Sequence, residues 1–225
     1  MTTLKNLNYS LIYKGLFIVL CALGVILNFL YLEQPIYRTL SYYTLQSNIA
    51  CLALMIVLFV QELRNKTLSI NMIRLKAGFT VMIFLTFLVY HFVLQPVLSG
   101  YEIGYQPFRF SDILVHYVSP LMMFLDFIIF TKHRQLKKYD PFVWLLIPLI
   151  YWIYTMIYAA LGGIYFIGES VTSYPYFFLD FDIYGVAGVM LWVLGIMVIY
   201  IGLGYWFVGL DHLFGKHFNK SQNEH

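Results

Sequence analysis

Six long apolar runs, each close to the roughly 20 residues that cross a bilayer as a helix, dominate this chain of 225 residues. A backbone in lipid must satisfy its own N–H and C=O groups, which leaves only helices or closed barrels. Barrel strands alternate apolar and polar residues over about ten positions, and these runs do not alternate. The pattern predicts an all-α polytopic membrane protein, a single domain over residues 1–225. Its spans run from Leu11 to Leu32, Leu40 to Gln61, Ala77 to Gln95, Ser111 to Thr131, Phe142 to Leu161 and Ile183 to Gly209. Composition agrees, because 11% charged residues cannot cover a water-facing surface that ordinarily takes about 25%. The first run has no small-residue cleavage site and is followed by further spans, so it reads as a signal anchor.

Lysine and arginine divide unequally between the two sides. Lys5, Lys14, Arg64, Lys66, Arg74, Lys76, Lys132, Arg134, Lys137, Lys138, Lys216 and Lys220 fall on one, and only Arg38 and Arg109 on the other. The positive-inside rule then predicts cytoplasmic termini, in a chain whose expected location is the plasma membrane. The basic residues sit beside apolar runs as orientation signals, so the net charge of +3 implies no nucleic-acid partner. The sequons at Asn8, Asn65 and Asn219 fall on the cytoplasmic side, where they would not be glycosylated. Cys21 and Cys51 lie inside spans, so no structural disulfide is expected. The outer connections carry aromatics and the acids Glu102, Glu169, Asp180 and Asp182; "YPYFFLDFD" (Tyr174 to Asp182) suits an interface anchor or a lid over a cavity.

Polar residues inside the spans fall on faces. Ser41, Thr44, Asn48 and Cys51 of span two follow a three-four-three spacing, one side of a helix. Asp112, His116, Ser119, Met123 and Asp126 of span four do the same, and span three carries His91 and Gln95 near its end. At 1.5 Å per residue Thr44 lies about 6 Å, His116 about 7 Å and His91 about 6 Å from the outer ends of their spans. Three helices thus bring these residues to one level. Asp126 is deeper, where a carboxylate must be neutral or paired. Ser47 and Asn48 suit interhelical hydrogen bonds, and Gly188, Gly195, Gly202 and Gly209, seven residues apart, suit close helix packing.

A threonine hydroxyl needs a base to become a nucleophile, and imidazole is the usual one near neutral pH. His116 can fill that role for Thr44, with Asp112 holding its other ring nitrogen and Asn48 donating to a developing oxyanion. His91, Asp126 and Asp180 are further candidates to support the histidine or line the cavity. The substrate is then a lipid ester reaching a shallow level of the outer leaflet. Two readings compete: a lipid-binding or transport protein without chemistry, and a bundle whose polar residues only join helices. A metal at two histidines and an aspartate has no local ligand pair behind it, and no metal or other cofactor is expected.

"YYTLQSN" in span two, "HYVSP" followed by Asp126 in span four, and "YPYFFLD" before span six resemble the six-transmembrane integral membrane proteins of bacteria. These are similar in turn to the animal androgen-induced and ADTRP-like membrane proteins. The resemblance runs along nearly the whole chain. It implies an intramembrane threonine hydrolase that cleaves fatty acid esters of hydroxy fatty acids, with the nucleophile at Thr44 and the histidine at His116.

Overall fold

A computed structural model describes residues 2–31, 35–100, 108–167 and 170–222 of the chain. Six helices long and apolar enough to cross a membrane follow one another as expected: Tyr9–Tyr31, Tyr43–Leu63, Ile70–Ser99, Phe110–Phe130, Asp140–Ala160 and Phe181–Gly215. They are called spans one to six below. Glu102 and Glu169 lie outside the described residues.

Span three begins earlier than its hydropathy suggests, because the charges that interrupt the apolar run find partners. Ser69 caps the helix, its hydroxyl accepting from the Met72 amide at 3.2 Å. Arg74 then grips Asp140, its Nε 2.9 Å from both carboxylate oxygens, which ties span three to the start of span five. Lys76 turns inward to Asp126. Charges that read as loop from composition are thus helical.

Buried apolar clusters hold the bundle. Phe17, Cys21, Cys51, Met55, Ile83 and Met123 pack where spans one to four meet. Val81, Phe127, Trp144, Tyr200 and Phe207 join spans three and four to five and six. Spans two, three and four are the most enclosed, and five and six present the most surface outward. Where span one crosses span four, a side chain at Gly24 would come within 2.8 Å of Leu114 Cβ, so the glycine permits the approach.

At one end of the bundle lies a buried ionic cluster drawn from four spans. Lys14 Nζ is 2.9 Å from Glu62 and 3.4 Å from Asp126, and Ser10 joins it. Lys76 pairs with Asp126 and donates to Thr131 Oγ1 at 2.7 Å. Two lysines balance two acids. The Asp126 carboxylate is held by these charges and not by aligned hydrogen bonds.

The opposite end departs from the all-α expectation. Tyr165–Ile167 and Ser170–Thr172 form a two-stranded antiparallel hairpin, Tyr165 opposite Thr172. The Tyr165 hydroxyl donates to Ser41 Oγ at 2.6 Å, which anchors the hairpin to the entrance of span two. The 3₁₀ turn Phe177–Leu179 follows. Asp180 then opens span six, its carboxylate accepting from Thr172 Oγ1 at 2.5 Å and from the Asp182 amide at 2.9 Å. Span six is interrupted at Gly185 (φ 62°, ψ 178°), a conformation glycine adopts without steric cost.

The glycine stripe of span six needs correction. Among the described residues a Cβ at Gly195, Gly202 or Gly209 would meet nothing within 4 Å, and at Gly188 it would meet only Tyr184 of the same helix. Glycines that do permit a close approach lie outside the heptad: Gly204 against Pro141 and Gly215 against Arg134. A seven-residue repeat marks one side of a helix but does not say that another helix lies against it.

Candidate active site

Thr44 stands in the first turn of the helix Tyr43–Leu63, where the leading amides have no carbonyl partner within the helix. His116 stands in the π-helical turn Leu114–Val118 of span four. Such turns break the regular ladder of backbone bonds and recur at functional sites. Side chains take up carbonyls here. That of Asp112 lies 3.1 Å from His116 Nδ1, and that of Val115 accepts from Asn48 Nδ2 at 3.0 Å.

Thr44 Oγ1 and His116 Nε2 are 3.3 Å apart. Both residues are buried, 7% and 8% exposed, so water does not compete freely for the contact. A carbonyl oxygen can only accept, so in the neutral ring the proton belongs on Nδ1, bonded to the Asp112 carbonyl. Nε2 is then the free lone pair, directed at the threonine hydroxyl. The ring is clamped flat against Tyr90, centroids 3.6 Å apart at 11°.

The other predicted members fall differently. Asp112 orients the histidine through its backbone carbonyl and not its carboxylate; a side chain in a helix points back toward the preceding turn, which brings the ring to that carbonyl. Asn48 cannot serve as an oxyanion donor, because Nδ2 donates to the carbonyls of Thr44 (2.8 Å) and Val115 (3.0 Å). Its role is to join span two to the histidine-bearing turn, with the Cys21 thiol against its own oxygens. Ser47 likewise joins Thr86 of span three at 3.0 Å.

His91 shares the level of the pair but is exposed, and its Nδ1 lies 3.1 Å from the Tyr117 hydroxyl. Neighbouring helix residues point about 100° apart, so with Tyr90 turned to His116 its successor faces away. Asp126 belongs to the ionic cluster at the far end, and Asp180 to the start of span six. Neither supports the histidine. Among the described residues no group of three or more His, Cys, Asp or Glu could hold a metal.

Tyrosines that no spacing along the chain singles out surround Thr44. The Tyr43 amide donates to the hydroxyl oxygens of both Tyr151 and Tyr176, each at 3.1 Å. Tyr151 passes its own proton to the Ser41 carbonyl at 3.1 Å. The Tyr176 phenol also engages the side chain and amide of Thr44. Burial raises its pKa above the usual 10.0, and hydrogen bonding with Thr44, Tyr151 and the Tyr43 amide only partly offsets this, so it stays protonated at neutral pH. The hint in the sequence was the aromatic density of "YPYFFLD", which suits an interface anchor before a lid.

Thr44 lines a pocket of ≈ 600 Å³, its open mouth included. Leu85, Val89, Ile196 and Met197 give it apolar walls, and Tyr176 and Phe178 close one side. The aromatic segment is therefore a cavity wall. Tyr43 Oη and Trp152 Nε1, both from residues that line the pocket, are buried without a hydrogen-bond partner among the described residues. Mostly apolar walls with a few polar groups are what small-molecule sites present.

Asn48→Ala is expected to cost about 1–2 kcal/mol, the scale of interhelical hydrogen bonds in membranes. Thermal unfolding in detergent measures it. A large loss of turnover with unchanged stability would instead restore the oxyanion role.

No family model, no curated protein and no solved structure matches the chain.

Proposed function

We propose that this integral membrane protein is an intramembrane hydrolase of lipid esters, with Thr44 as nucleophile and His116 as general base. The observation that carries the reading is the buried 3.3 Å contact between Thr44 Oγ1 and His116 Nε2, with Nδ1 tied to a carbonyl. A hydroxyl, a base within reach and a group that orients the base are the parts that nucleophilic catalysis requires. The apolar pocket that Thr44 helps to line suits an acyl chain. The motif resemblance supplies the substrate class, a fatty acid ester of a hydroxy fatty acid. The lysine and arginine asymmetry supports cytoplasmic termini, with the site toward the outer leaflet of the plasma membrane.

In the first half-reaction Thr44 Oγ1 gives its proton to His116 Nε2 and bonds to the acyl carbon, whose carbonyl electron pair moves onto oxygen. The tetrahedral centre collapses, and the alkoxy oxygen of the hydroxy fatty acid leaves with the proton from Nε2. Water then attacks the acyl-threonine, passing a proton to Nε2. Thr44 Oγ1 leaves with that proton, and the fatty acid is released.

The test is a long-chain alkyl fluorophosphonate on the protein in detergent, beside hydrolysis of a hydroxy fatty acid ester. Labelling at Thr44, absent from Thr44→Ala, is the expected result. No labelling and no turnover, with lipid retained through purification, would favour the rival reading of a lipid binder or carrier.

A further inference from the structure

Attack on an ester puts negative charge on the carbonyl oxygen, and the asparagine one turn below Thr44 has no donor to spare for it. Tyr43 Oη and Trp152 Nε1 belong to residues of the same pocket, but the phenols set on the first turn of span two, beside the nucleophile, are those of Tyr176 and Tyr151. Tyr176 lies on the segment between the hairpin and span six, and its phenol meets the Tyr43 amide at 3.1 Å and engages Thr44's hydroxyl and amide. Tyr151, the other phenol on that amide, has its proton committed to the Ser41 carbonyl. His116 approaches Thr44 from span four and Tyr176 from the pocket wall.

The geometry points to Tyr176 as a further catalytic residue, whose phenol O–H, together with the leading amides of span two, holds the carbonyl oxygen as it becomes an oxyanion. This rests on the hydrolase reading above. Before attack the phenol is engaged with Thr44. As Oγ1 bonds to the acyl carbon, the phenol turns its proton to the new oxyanion without giving it up, and no bond to Tyr176 forms or breaks. The Tyr43 and Thr44 amides, now capped by phenol oxygen, stand at the positive end of the helix. A donor of this kind acts on the transition state more than on the bound ester.

Three measurements on Tyr176→Phe, which keeps the ring in the pocket wall, test the proposal: steady-state hydrolysis, affinity for a long-chain alkyl boronic acid, and affinity for the corresponding non-hydrolysable ether. The boronic acid forms a tetrahedral adduct on Thr44 and mimics the oxyanion; the ether reports only ground-state binding. The expectation is a fall in kcat of about 10²–10³-fold with KM little changed, a similar loss for the boronic acid, and unchanged ether affinity. The ratio of the two affinities is independent of the fraction of protein that folds. Wild-type kcat in the variant would overturn the assignment. Equal loss of boronic acid and ether binding would overturn it too, by assigning Tyr176 to the pocket wall alone. If wild-type protein neither hydrolyses esters nor reacts with the fluorophosphonate, the hydrolase reading fails and takes this inference with it.

Discussion

Thr44→Ala and His116→Ala are each expected to lower ester turnover by at least about 10³-fold, the scale on which nucleophile and base losses register in hydrolases. Each change disables the same step. Without Oγ1 there is no atom to acylate; without Nε2 the hydroxyl stays protonated and weak. The pair acts as a unit, so the double variant should be no slower than either single one. Thr44→Ser keeps the oxygen and should retain part of the activity. The contact is a single hydrogen bond, and packing around it comes from Tyr90 and the helix backbones. Thermal unfolding should therefore change little. Steady-state kinetics in detergent, beside unfolding temperatures, separates this outcome from the helix-joining alternative, in which stability falls and no chemistry is lost. Full turnover by Thr44→Ala would end the assignment.

The second large effect belongs to the other end of the bundle. Asp126→Ala should destabilise the protein by about 3–5 kcal/mol, the usual consequence of removing one partner from a buried ion pair. Asp126 and Lys76 are both fully enclosed. Losing the carboxylate leaves two lysines against one acid, Glu62, which pairs with Lys14, and Lys76 keeps Thr131 Oγ1 and a backbone carbonyl. Lys76→Met combined with Asp126→Leu should recover most of the loss, because Lys14 and Glu62 remain a balanced pair and apolar replacements of similar volume often match a buried ion pair. Denaturation in mixed detergent measures both. Asp126 lies ten residues beyond His116, about 15 Å along the helix, so the double variant should keep its turnover. An Asp126→Ala protein as stable as wild type would mean that the cluster is solvated and adds nothing.

Much of the architecture was legible because it is local. Hydropathy along the chain located all six spans and missed their ends by a few residues, most of all at the start of span three, where Arg74 finds its partner in Asp140. Depth was legible too, since rise per residue is constant; it brought Thr44 and His116 to one level from positions 72 residues apart. Depth alone was insufficient for His91, which shares the level but faces away, and periodicity alone was insufficient for Gly195, Gly202 and Gly209, which share a face with no helix against it.

The sequence by itself determined how many helices cross, which residues share a face, and how deep each polar group lies, because these follow from a repeat of fixed rise and pitch. Only the tertiary structure decided how each helix is rotated against its neighbours. Rotation comes from packing of the whole bundle, including two π turns that no local pattern announces. That rotation turns Tyr90 to His116 in place of His91, and it occupies Asn48's amide with two carbonyls. It also orients the imidazole by the carbonyl of Asp112 in place of its carboxylate. The Tyr176 phenol reaches Thr44 from a segment more than 130 residues away, a closure that spacing along the chain cannot encode.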